Sequence, residues 1–489
     1  MRTFTALAAA CLIASPLAAQ EGAPPAPSLP AQAEDQALLQ QVVAILADAP
    51  PGTRYGIMVE RADGSEVLSI APDQRFIPAS NTKIYTTLAA YADLPAIQAA
   101  AQGTGVRLEP AGDGTFDVVL EGRGEATLSS APDCTVQCLS VLADAVAART
   151  PRVRNVVGDA RWYPDQRWSP GMSWNNMPFG YGTGISALSL DDNEFVMTVT
   201  PAGDDAAPVV TSGGYYRIDN RARSVAGTEN EIDIWRMPGS DLIELSGTIG
   251  TEADPRTYTL GIDDPARYAA WRLARMLADR GVTVTGDLEV RQASPARASD
   301  IDESGTENML AQLAPEDLAA DVVTINKVSQ NMHSELMLRR IGRVAGDGSI
   351  ESGQAALARV TARAGLPEGS YLLADGSGMS SYNRLTPRGT TALLRWAAEQ
   401  PWGATWRESL PVGGEDGTLG RRFRDTPLAG RIFAKTGSLN ASRALSGYLV
   451  TTSGETLVFS AFANDIPPGE DGAATAAMDA ALLAIAAGN

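Results

Sequence analysis

The sequence predicts a mixed α and β fold with a large strand-rich insertion. Hairpin patterns lie near both ends of the chain, and helical patterns accompany each of them. Between about residues 105 and 300 the pattern changes to short β-type runs separated by loops that contain glycine and proline. A chain of 489 residues is long enough for two or three domains.

The N-terminal part begins with a helix and a hairpin. Apolar residues recur at helical spacing over residues 35–49. The run "YGIMVERADGSEVLSI" contains two β-rich stretches around a turn at Asp63 and Gly64. A second helix is predicted to begin near Ser80, since Pro78 suits the start of a helix.

The central module is predicted to contain strands and one amphipathic helix. The strand patterns are "TFDVVLEG", "EFVMTVTP", "YTLGI" and "DLEV", and the helix is "PARYAAWRLARMLADRG". The glycine-rich runs "GYGTG" and "GGEDGTLG" lack the strand and the Gly-Lys-Ser/Thr ending of a phosphate cradle. We therefore interpret both as loops.

The C-terminal part returns to helices and a second hairpin. Helical patterning covers "ADVVTINKVSQNMHSELMLRRIG", and "ALSGYLVTTSGETLVFSAFAND" predicts a hairpin at the edge of a sheet, turning at Ser453 and Gly454. The last helix, "GAATAAMDAALLAIAAG", has no basic face. We expect it to pack against a sheet and not to lie on a membrane.

Residues 1–20 have the three parts of a secretory signal peptide. Arg2 precedes an apolar stretch, which small residues follow as a cleavage site near residue 19 or 20. The apolar stretch is too short for a spanning helix, so we expect export to the periplasm without a stable membrane anchor. Cys11 would be lost on cleavage, and residues 21–34 are rich in proline and alanine, as in a flexible lead-in.

The charge and the cysteines narrow the function classes. A formal net charge of -19 argues against a nucleic-acid partner. Cys134 and Cys138 are candidates for a local disulfide in an oxidising compartment, and the alternative is two small buried side chains at helical spacing. Without a neighbouring histidine they make a poor zinc site, and we predict no metal and no cofactor.

The chain has one histidine, His333, which removes most hydrolase mechanisms. Zinc hydrolases that need two or three histidines are excluded, and a Ser-His-Asp or cysteine hydrolase would have to use this single residue. The sequence favours a surface or packing role for His333 on the flank of a helix.

Lysine is scarce: Lys83, Lys327 and Lys435 are the only lysines among 39 basic residues. Unlike arginine, a desolvated lysine can lose its proton near neutral pH and serve as a base. On a helix, Ser80 and Lys83 lie one turn apart on the same face, so the amine could activate the hydroxyl. A lone Ser-x-x-Lys match is nevertheless weak evidence.

Two further motifs strengthen the prediction. Lys327 precedes Ser329-Gln330-Asn331, and Lys435 opens a Lys-Thr-Gly run ahead of the C-terminal hairpin. Ser-x-x-Lys, Ser-x-Asn and Lys-Thr-Gly in this order form the motif set of penicillin-binding proteins and β-lactamases. The sequence thus resembles this group.

Within that group the chain resembles the D-Ala-D-Ala carboxypeptidase/endopeptidases of peptidase family S13, the class C proteins similar to penicillin-binding protein 4. The resemblance lies in "INKVSQNMHSELMLR", "DGSGMSSYNRLTP", "LPVGGEDGTLGRRF" and "SALSLDDNEF", and in the 249 positions from Ser80 to Ser329. It implies a β-lactamase/transpeptidase-like domain, with an antiparallel sheet flanked by helices, formed by residues 21–104 and 301–489. Residues 105–300 would then form two inserted domains, II and III.

The resemblance also implies roles for individual residues. Ser80 would be the acylated nucleophile and Lys83 its proton acceptor, although the motif itself leaves the acylation base open. Ser329 would relay a proton, Asn331 would line the cleft, and Lys327 would support Ser329. Lys435 would provide a positive electrostatic field for the substrate carboxylate, to which Thr436 and Ser438, on either side of Gly437, would donate hydrogen bonds. The N–H groups of Ser80 and Ser438 would form the oxyanion hole.

Two departures bear on substrate choice. Ser438 stands where the family more often has threonine, and it keeps the hydroxyl. In "SWNNMPFGYG", Asn176 stands where family members often have an aspartate that pairs with the side-chain amine of diaminopimelate. Asparagine could hydrogen-bond that ammonium but not neutralise it, which predicts weak selection for the free amine. Ser334 replaces a common alanine.

The resemblance implies a serine-type D-Ala-D-Ala carboxypeptidase with additional D,D-endopeptidase activity on peptidoglycan peptides. β-Lactam antibiotics would acylate the same serine. The alternatives are a β-lactamase or esterase on the same fold, and a non-catalytic penicillin-binding sensor or cell-wall scaffold. Nothing in the residues specifies an oligomeric state.

Overall fold

The computed structural model describes residues 31–33, 35–112, 114–296 and 308–489. The predicted signal peptide lies outside these ranges, as does most of the predicted lead-in. The lead-in nevertheless ends in ordered backbone, because residues 31–33 form a strand that pairs with residues 68–70. For these three residues the prediction of a flexible segment is wrong.

The described chain contains strands throughout and helices mainly in its first and last thirds. In chain order the strands are β1 (Ala31–Ala33), β2 (Arg54–Arg61), β3 (Glu66–Ile70), β4 (Gly105–Pro110), β5 (Phe116–Glu121), β6 (Arg152–Val153), β7 (Val156–Pro164), β8 (Glu194–Thr200), β9 (Val209–Ser212), β10 (Arg217–Asn220), β11 (Arg223–Val225), β12 (Asn230–Trp235), β13 (Leu242–Gly250), β14 (Arg256–Gly261), β15 (Thr283–Val284), β16 (Leu288–Ala293), β17 (Ala311–Gln312), β18 (Tyr371–Leu372), β19 (Arg384–Leu385), β20 (Ile432–Leu439), β21 (Ser442–Val450) and β22 (Thr456–Asn464). The helices are α1 (Gln36–Ala47), α2 (Thr82–Ala92), α3 (Leu94–Ala100), α4 (Leu139–Arg149), α5 (Pro265–Asp279), α6 (Leu318–Lys327), α7 (Asn331–Arg343), α8 (Ile350–Arg363), α9 (Pro387–Ala398), α10 (Gly403–Glu408) and α11 (Asp471–Gly488).

The main sheet is antiparallel and joins the two ends of the chain. Its strand order is β1-β3-β2-β22-β21-β20, so the C-terminal hairpin lies in the middle and β20 forms one edge. The prediction of an edge hairpin is therefore wrong. The edge strand went unrecognised because β20 contains a buried lysine and a glycine, which interrupt the apolar pattern of a strand.

Helices cover both faces of this sheet. The Tyr55 hydroxyl on β2 donates to a backbone carbonyl of α11, and the Tyr448 hydroxyl on β21 donates to a backbone carbonyl of α9. Tyr448 pairs with Val458 on β22, and Val458 pairs with Glu60 on β2, so Tyr448 and Glu60 point to the same face of the sheet. Glu60 lies an odd number of positions from Tyr55 along β2. Because side chains alternate between faces, α9 and α11 lie on opposite sides. This is the predicted antiparallel sheet flanked by helices.

The inserted segment forms several smaller sheets. A five-stranded sheet has the order β16-β7-β5-β4-β17, and α5 packs on it. Further along the chain are the three-stranded sheet β14-β8-β9 and a four-stranded sheet in which β10, β11 and β12 all pair with β13. The strand-rich character predicted for this segment is confirmed. Its boundaries at residues 105 and 300 stay a prediction, and β17 pairs with β4 from beyond residue 300.

Two apolar cores occupy the two parts, and α7 contributes to both. Met337 and Ile341 belong to the core of the main sheet, whereas Met332 and Leu336 belong to the core of the insertion. Most of α7 is buried, including its charged residues. The helix that follows the Ser-x-Asn motif therefore fixes how the insertion sits on the main domain.

Most of the predicted helices are present, with one break. The helical stretch predicted over residues 320–342 is two helices, α6 and α7, separated at Val328, Ser329 and Gln330. Ser329 has a φ of 63°, in the left-handed region that ends a regular helix. The Gln330 side chain accepts from Met332 N and caps α7.

The last helix is long and apolar enough to cross a membrane by length and composition, and no other helix in the described part of the chain meets that test. Its buried residues Ala474, Met478 and Leu482 belong to the core of the main sheet. Packing against a sheet, as predicted, accounts for its apolar composition.

Candidate active site

The first part of the site is the turn that carries Ser80. Ser80 lies in a 3-10 turn, Ala79–Asn81, directly before α2, and Ala79 has a φ of 47°. Lys83 in the first turn of α2 points back at it: Lys83 Nζ donates to Ser80 Oγ at 3.0 Å. The structure thus brings together the two residues that the Ser-x-x-Lys motif predicts.

Lys83 is buried without a carboxylate contact. Its side chain has no exposed surface, and its other hydrogen bonds go to Asn331 Oδ1 and the Ser377 carbonyl, both at 2.6 Å. Burial lowers the pKa of Lys83 to about 7, against the more distant charges of Asp375 and Glu335, which raise it. A large share of this lysine is therefore neutral near pH 7.

The Asp-Gly-Ser-Gly segment positions the Ser377 carbonyl. Glu335 Oε1 on α7 accepts from Gly376 N at 3.0 Å and Ser377 N at 2.8 Å. Gly378 has a φ of 93°, and a Cβ there would lie 1.9 Å from the Ala79 carbonyl oxygen. Only glycine allows this segment to pack against the turn of the nucleophile.

Asp375 completes this support from inside the protein. Its carboxylate accepts from Gly378 N at 2.9 Å, Ser380 N at 2.5 Å and Asn383 Nδ2 at 2.6 Å. Burial and the nearby charge of Glu335 raise the pKa of Asp375 to about 6. No role is predicted from the sequence for Asp375, Ser377 or Glu335. The "DGSGMS" run contains the first two, and Glu335 lies in "INKVSQNMHSELMLR".

The second and third motifs meet across the cleft. Lys435 on β20 donates through Nζ to Ser329 Oγ at 2.8 Å and to the Thr436 carbonyl at 3.1 Å. Lys435 is also fully buried, and burial together with the positive charge of Lys83 holds its pKa well below the ordinary range. Within the described ranges neither Lys83 nor Lys435 forms a salt bridge.

The edge strand β20 lies directly against the turn of Ser80. Asn81 Nδ2 donates to the Lys435 carbonyl at 2.8 Å, and a Cβ on Gly437 would lie 2.6 Å from the Pro78 carbonyl oxygen. The Ala434 N–H points away from β21, toward the outer edge of the sheet, and donates to the Pro411 carbonyl. Since alternate residues of a strand share an edge, the Ser438 N–H also points outward, toward the cleft.

The insertion supplies one wall of the cleft. The cleft has a volume of about 540 Å³ and is lined by Ser80, Ser329, Thr436, Ser438 and, from the insertion, Asn176 and Tyr181. Asn331 bridges the two parts, because its Oδ1 accepts from Lys83 while its Nδ2 donates to the Tyr181 carbonyl at 2.7 Å. Tyr181 was missed in the sequence because it lies in the glycine-rich run interpreted as a plain loop.

Lys327 differs from the other two lysines. Its Nζ donates at 2.6 Å to both the Leu410 carbonyl and Asp416 Oδ2. It contacts the "GGEDGTLG" loop and not the nucleophile. Both glycine-rich runs contain only single 3-10 turns, as predicted for loops.

His333 is neither on the surface nor part of the cleft. Only 4% of the residue is exposed, and its two ring nitrogens lie 2.5 Å from Asp321 Oδ1 and 2.9 Å from Asp192 Oδ1. Burial alone lowers the pKa of His333, but the two carboxylates outweigh it and raise the pKa to about 10. Of the two roles predicted for His333, surface or packing, its burial agrees with packing. In addition, His333 is a buried cation that links α6 to the insertion.

Arg340 extends this buried charge cluster. It contacts Asp321 Oδ2 at 3.1 Å and forms an ion pair with Glu316, and its Nε donates to the Gly124 carbonyl of the insertion at 2.7 Å. We call His333, Arg340, Asp321, Glu316 and Asp192 the interdomain ion cluster. Its two cations, His333 and Arg340, lie on α7, the helix that also carries Asn331 and Glu335.

Two remaining predictions concern cysteine and metals. The structure joins Cys134 and Cys138 by a disulfide in the insertion, just before α4. Within residues 35–112, 114–296 and 308–489 no group of three or more His, Cys, Asp or Glu side chains has an arrangement that could hold a metal ion.

The chain matches the D-Ala-D-Ala carboxypeptidase 3 (S13) family over residues 38–485. A D-alanyl-D-alanine carboxypeptidase of an Actinomadura species is 33% identical over 477 residues, which cover 92% of this chain and 86% of the relative. The D-alanyl-D-alanine carboxypeptidase DacB of Haemophilus influenzae is 22% identical and covers 86% of this chain and 87% of its own length.

The fold is similar to the crystal structure of penicillin binding protein 4 from Haemophilus influenzae. The TM-score is 0.76 at 19% identity, with 90% of this chain and 98% of that chain covered. A complex of that protein with a β-lactam gives a TM-score of 0.71 at 18% identity, covering 91% and 98% of the two chains. The predicted β-lactamase/transpeptidase-like fold is confirmed. By the extent of the family match and by its relatives, the chain belongs to the D-Ala-D-Ala carboxypeptidase 3 (S13) family.

Proposed function

We propose that this protein is a serine-type D-Ala-D-Ala carboxypeptidase that acts on peptidoglycan stem peptides through an acyl-enzyme on Ser80. The same site would cleave D-alanyl cross-links as a D,D-endopeptidase. Family membership supports the activity. The observation that carries it is Lys83 Nζ at 3.0 Å from Ser80 Oγ, in surroundings that lower the lysine pKa to about 7.

In the acylation step Ser80 Oγ attacks the carbonyl carbon between the two D-alanines. Its proton passes to Lys83, whose neutral amine has a lone pair that an ammonium lacks. The Asn331 and Ser377 oxygens hold the amine in place and accept its N–H bonds before and after the transfer. The N–H groups of Ser80 and Ser438 would bind the oxyanion.

Departure of the terminal D-alanine needs a proton on its nitrogen. Ser329 is placed to give one, since its Oγ lies 2.8 Å from Lys435 Nζ, which can return the proton. Among the residues that the structure describes, Lys435 has no carboxylate partner, and the terminal carboxylate of the substrate would supply one. Substrate binding would therefore charge Lys435 and, through repulsion, favour neutral Lys83.

A β-lactamase is the less favoured function because, within the described part of the chain, each carboxylate in or near the cleft already has hydrogen-bond or ion-pair partners. Glu335 and Asp375 are the carboxylates whose charges act on Lys83, and backbone N–H groups occupy both. Asp471, which also lines the cleft, is paired with Arg443 at 2.9 Å. We therefore expect penicillin to acylate Ser80 and to be released slowly.

The second alternative is a non-catalytic penicillin-binding sensor or scaffold. Fluorescent penicillin tests acylation, and release of D-alanine from a stem peptide tests turnover. The Ser80→Ala variant should lose both, and Ser453→Ala, at an exposed hairpin turn, should keep both. A covalent adduct on Ser80→Ala would exclude Ser80 as the nucleophile, and acylation without D-alanine release would favour the scaffold.

Substrate breadth is proposed from Asn176. It lines the cleft as a neutral side chain, so we propose weak discrimination between stem peptides with a free and with a blocked side-chain amine. Asn176→Asp should add a preference for the free amine of about tenfold, by adding an opposite charge. A strong preference in the unaltered enzyme would contradict this proposal.

We also propose that the protein works in the periplasm after removal of its first 19 or 20 residues. The three-part N-terminal pattern supports this. Cell fractionation followed by N-terminal sequencing tests it. A cytoplasmic product that retains Met1 would overturn the proposal.

A further inference from the structure

A second threonine stands beside the expected carboxylate-binding residue. Thr418 Oγ1 lies 2.7 Å from Thr436 Oγ1, and both residues line the cleft with Ser80. Thr418 is solvent-exposed and belongs to none of the three sequence motifs. The hydroxyl pair therefore faces whatever enters the cleft beside the Lys-Thr-Gly strand.

The loop that carries Thr418 is anchored on both sides of it. On one side, Asp416 Oδ1 accepts from Val412 N at 2.9 Å while Asp416 Oδ2 accepts from Lys327 Nζ at 2.6 Å. On the other side, Leu419 is fully buried and its carbonyl accepts from Gly414 N at 3.1 Å. The position of the Thr418 hydroxyl is thus set by its backbone.

The same loop packs against the chain that leads to Ser329. Gly417 has a φ of 54°, and a Cβ there would lie 2.6 Å from the Lys327 carbonyl oxygen. Both the ammonium and the carbonyl of Lys327 therefore contact the loop. These contacts hold the loop that carries Thr418 in a fixed position at the cleft.

The chemistry of the pair fits a carboxylate. Between two hydroxyls at hydrogen-bond distance only one of the two protons lies on the line joining them, so the other is free for a ligand. A carboxylate can accept from both hydroxyls and so replaces a neutral hydrogen bond by two charge-assisted ones. A neutral amide at the same place lacks the second anionic oxygen.

We propose that Thr418 is a further substrate-binding residue, which together with Thr436 donates a hydrogen bond to the free C-terminal carboxylate of the peptide. The inference rests on the proposed function and deepens it, since it makes the loop over residues 413–419 a determinant of preference for peptides that end in a free carboxylate. Thr418 takes no part in proton transfer at Ser80.

The test compares two peptides on four proteins, one of them a control variant. Diacetyl-L-Lys-D-Ala-D-Ala and its C-terminal amide are hydrolysed by the unaltered protein, Thr418→Val and Thr418→Ser, with Thr452→Val at an exposed turn as the matched control. We expect Thr418→Val to raise KM for the free acid about tenfold at nearly constant kcat, because a charge-assisted hydrogen bond is lost. The amide should be hydrolysed with unchanged kcat/KM, and Thr418→Ser should restore the KM for the acid.

Two results would overturn the proposal. One is an unchanged KM for the free acid in Thr418→Val, and the other is an equal loss on acid and amide, which would indicate a general disturbance of the loop. Thr418→Ala repeats the test without a branched side chain in case valine disturbs the 3-10 turn. Fluorescent penicillin acylation of the unaltered protein separates the two hypotheses: its absence counts against the proposed function, and its presence with an unchanged KM counts only against Thr418.

Discussion

Two clusters of buried basic residues meet at α7, one in the cleft and the other the interdomain ion cluster, and they differ in their counter-ions. In the cleft, Lys83 and Lys435 are fully buried and hydrogen-bond only to neutral oxygens. In the interdomain ion cluster, His333 and Arg340 are also buried, but each is paired with two carboxylates.

The difference shows how one protein uses burial in opposite ways. Burial disfavours charge, so an unpartnered lysine has a lowered pKa and becomes a base. When carboxylates are close enough to outweigh desolvation, the same burial leaves a histidine charged, with a raised pKa. The first arrangement supports catalysis, and the second fixes the insertion against the catalytic helix.

The largest expected effect comes from replacing Lys83 by arginine, which carries a permanent positive charge. Arginine stays protonated at any working pH, so Lys83→Arg removes the neutral amine while keeping the positive charge. We expect the rate of Ser80 acylation by fluorescent penicillin to fall by about a thousandfold. Lys327→Arg is the comparison, since Lys327 is already paired with Asp416, and it should lose no more than about tenfold. Similar losses in both variants would contradict the distinction.

The next largest effect comes from removing a counter-ion in the interdomain ion cluster. Asp321 accepts from both His333 and Arg340, so Asp321→Asn leaves two buried cations short of a partner. We expect the free energy of unfolding to fall by about 3 kcal/mol, measured by urea denaturation. Asp205→Asn, at an exposed ion pair, should change it by less than about 0.5 kcal/mol. A loss below about 1 kcal/mol for Asp321→Asn would show that the buried pairs contribute little.

A third prediction uses the pH dependence of stability. The pKa of His333 is raised from 6.5 to about 10, so its stabilising contribution is complete below pH 6.5 and is lost as pH rises toward 10. The urea midpoint of the unaltered protein should therefore fall between pH 7 and 10 relative to His333→Gln. The difference between the two proteins cancels the titrating groups that do not interact with His333. Glu194 does not cancel, because the charge of His333 lowers its pKa, which burial and Asp192 raise to about 7, so the decisive range lies above pH 8. A constant difference over this range would mean that His333 is not charged.

The smallest expected effect concerns the exposed pair. Lys327 and Asp416 have side chains that are 19% and 46% exposed, so their ion pair is partly screened by water. Asp416→Asn should cost less than about 1 kcal/mol in unfolding free energy. If Asp416→Asn lowered the free energy of unfolding as much as Asp321→Asn does, buried and exposed ion pairs would contribute equally to stability, which would contradict the comparison.

The candidate catalytic residues could be predicted to lie together because their relation is local or carried by motif. Ser80 and Lys83 are three positions apart, in the 3-10 turn and in the first turn of α2 that follows it, so their contact is local. The two hairpins were also predictable, since their apolar patterns and turns are strong. Lys435 had to be placed by resemblance, because a charged residue inside an edge strand contradicts the pattern by which strands are recognised.

The features that were missed depend on contacts between distant segments. His333 gains its charge from Asp321 and Asp192, and Asp192 lies 141 positions away. Thr418 meets Thr436 only because Lys327 and Asp416 anchor its loop. Spacing along the chain contains no signal for such pairs, and a lone histidine or threonine has no distinguishing pattern.

The central claim, that an unpartnered buried lysine provides the base, can be tested by observing that lysine directly. With only three lysines in the chain, ¹³Cε-lysine labelling gives three signals to follow by NMR as pH changes, and the loss of one signal in Lys83→Arg assigns it. The account predicts that the Lys83 signal titrates at about pH 7. A Lys83 signal that titrates near pH 10.4, the value for an unperturbed lysine, would contradict it.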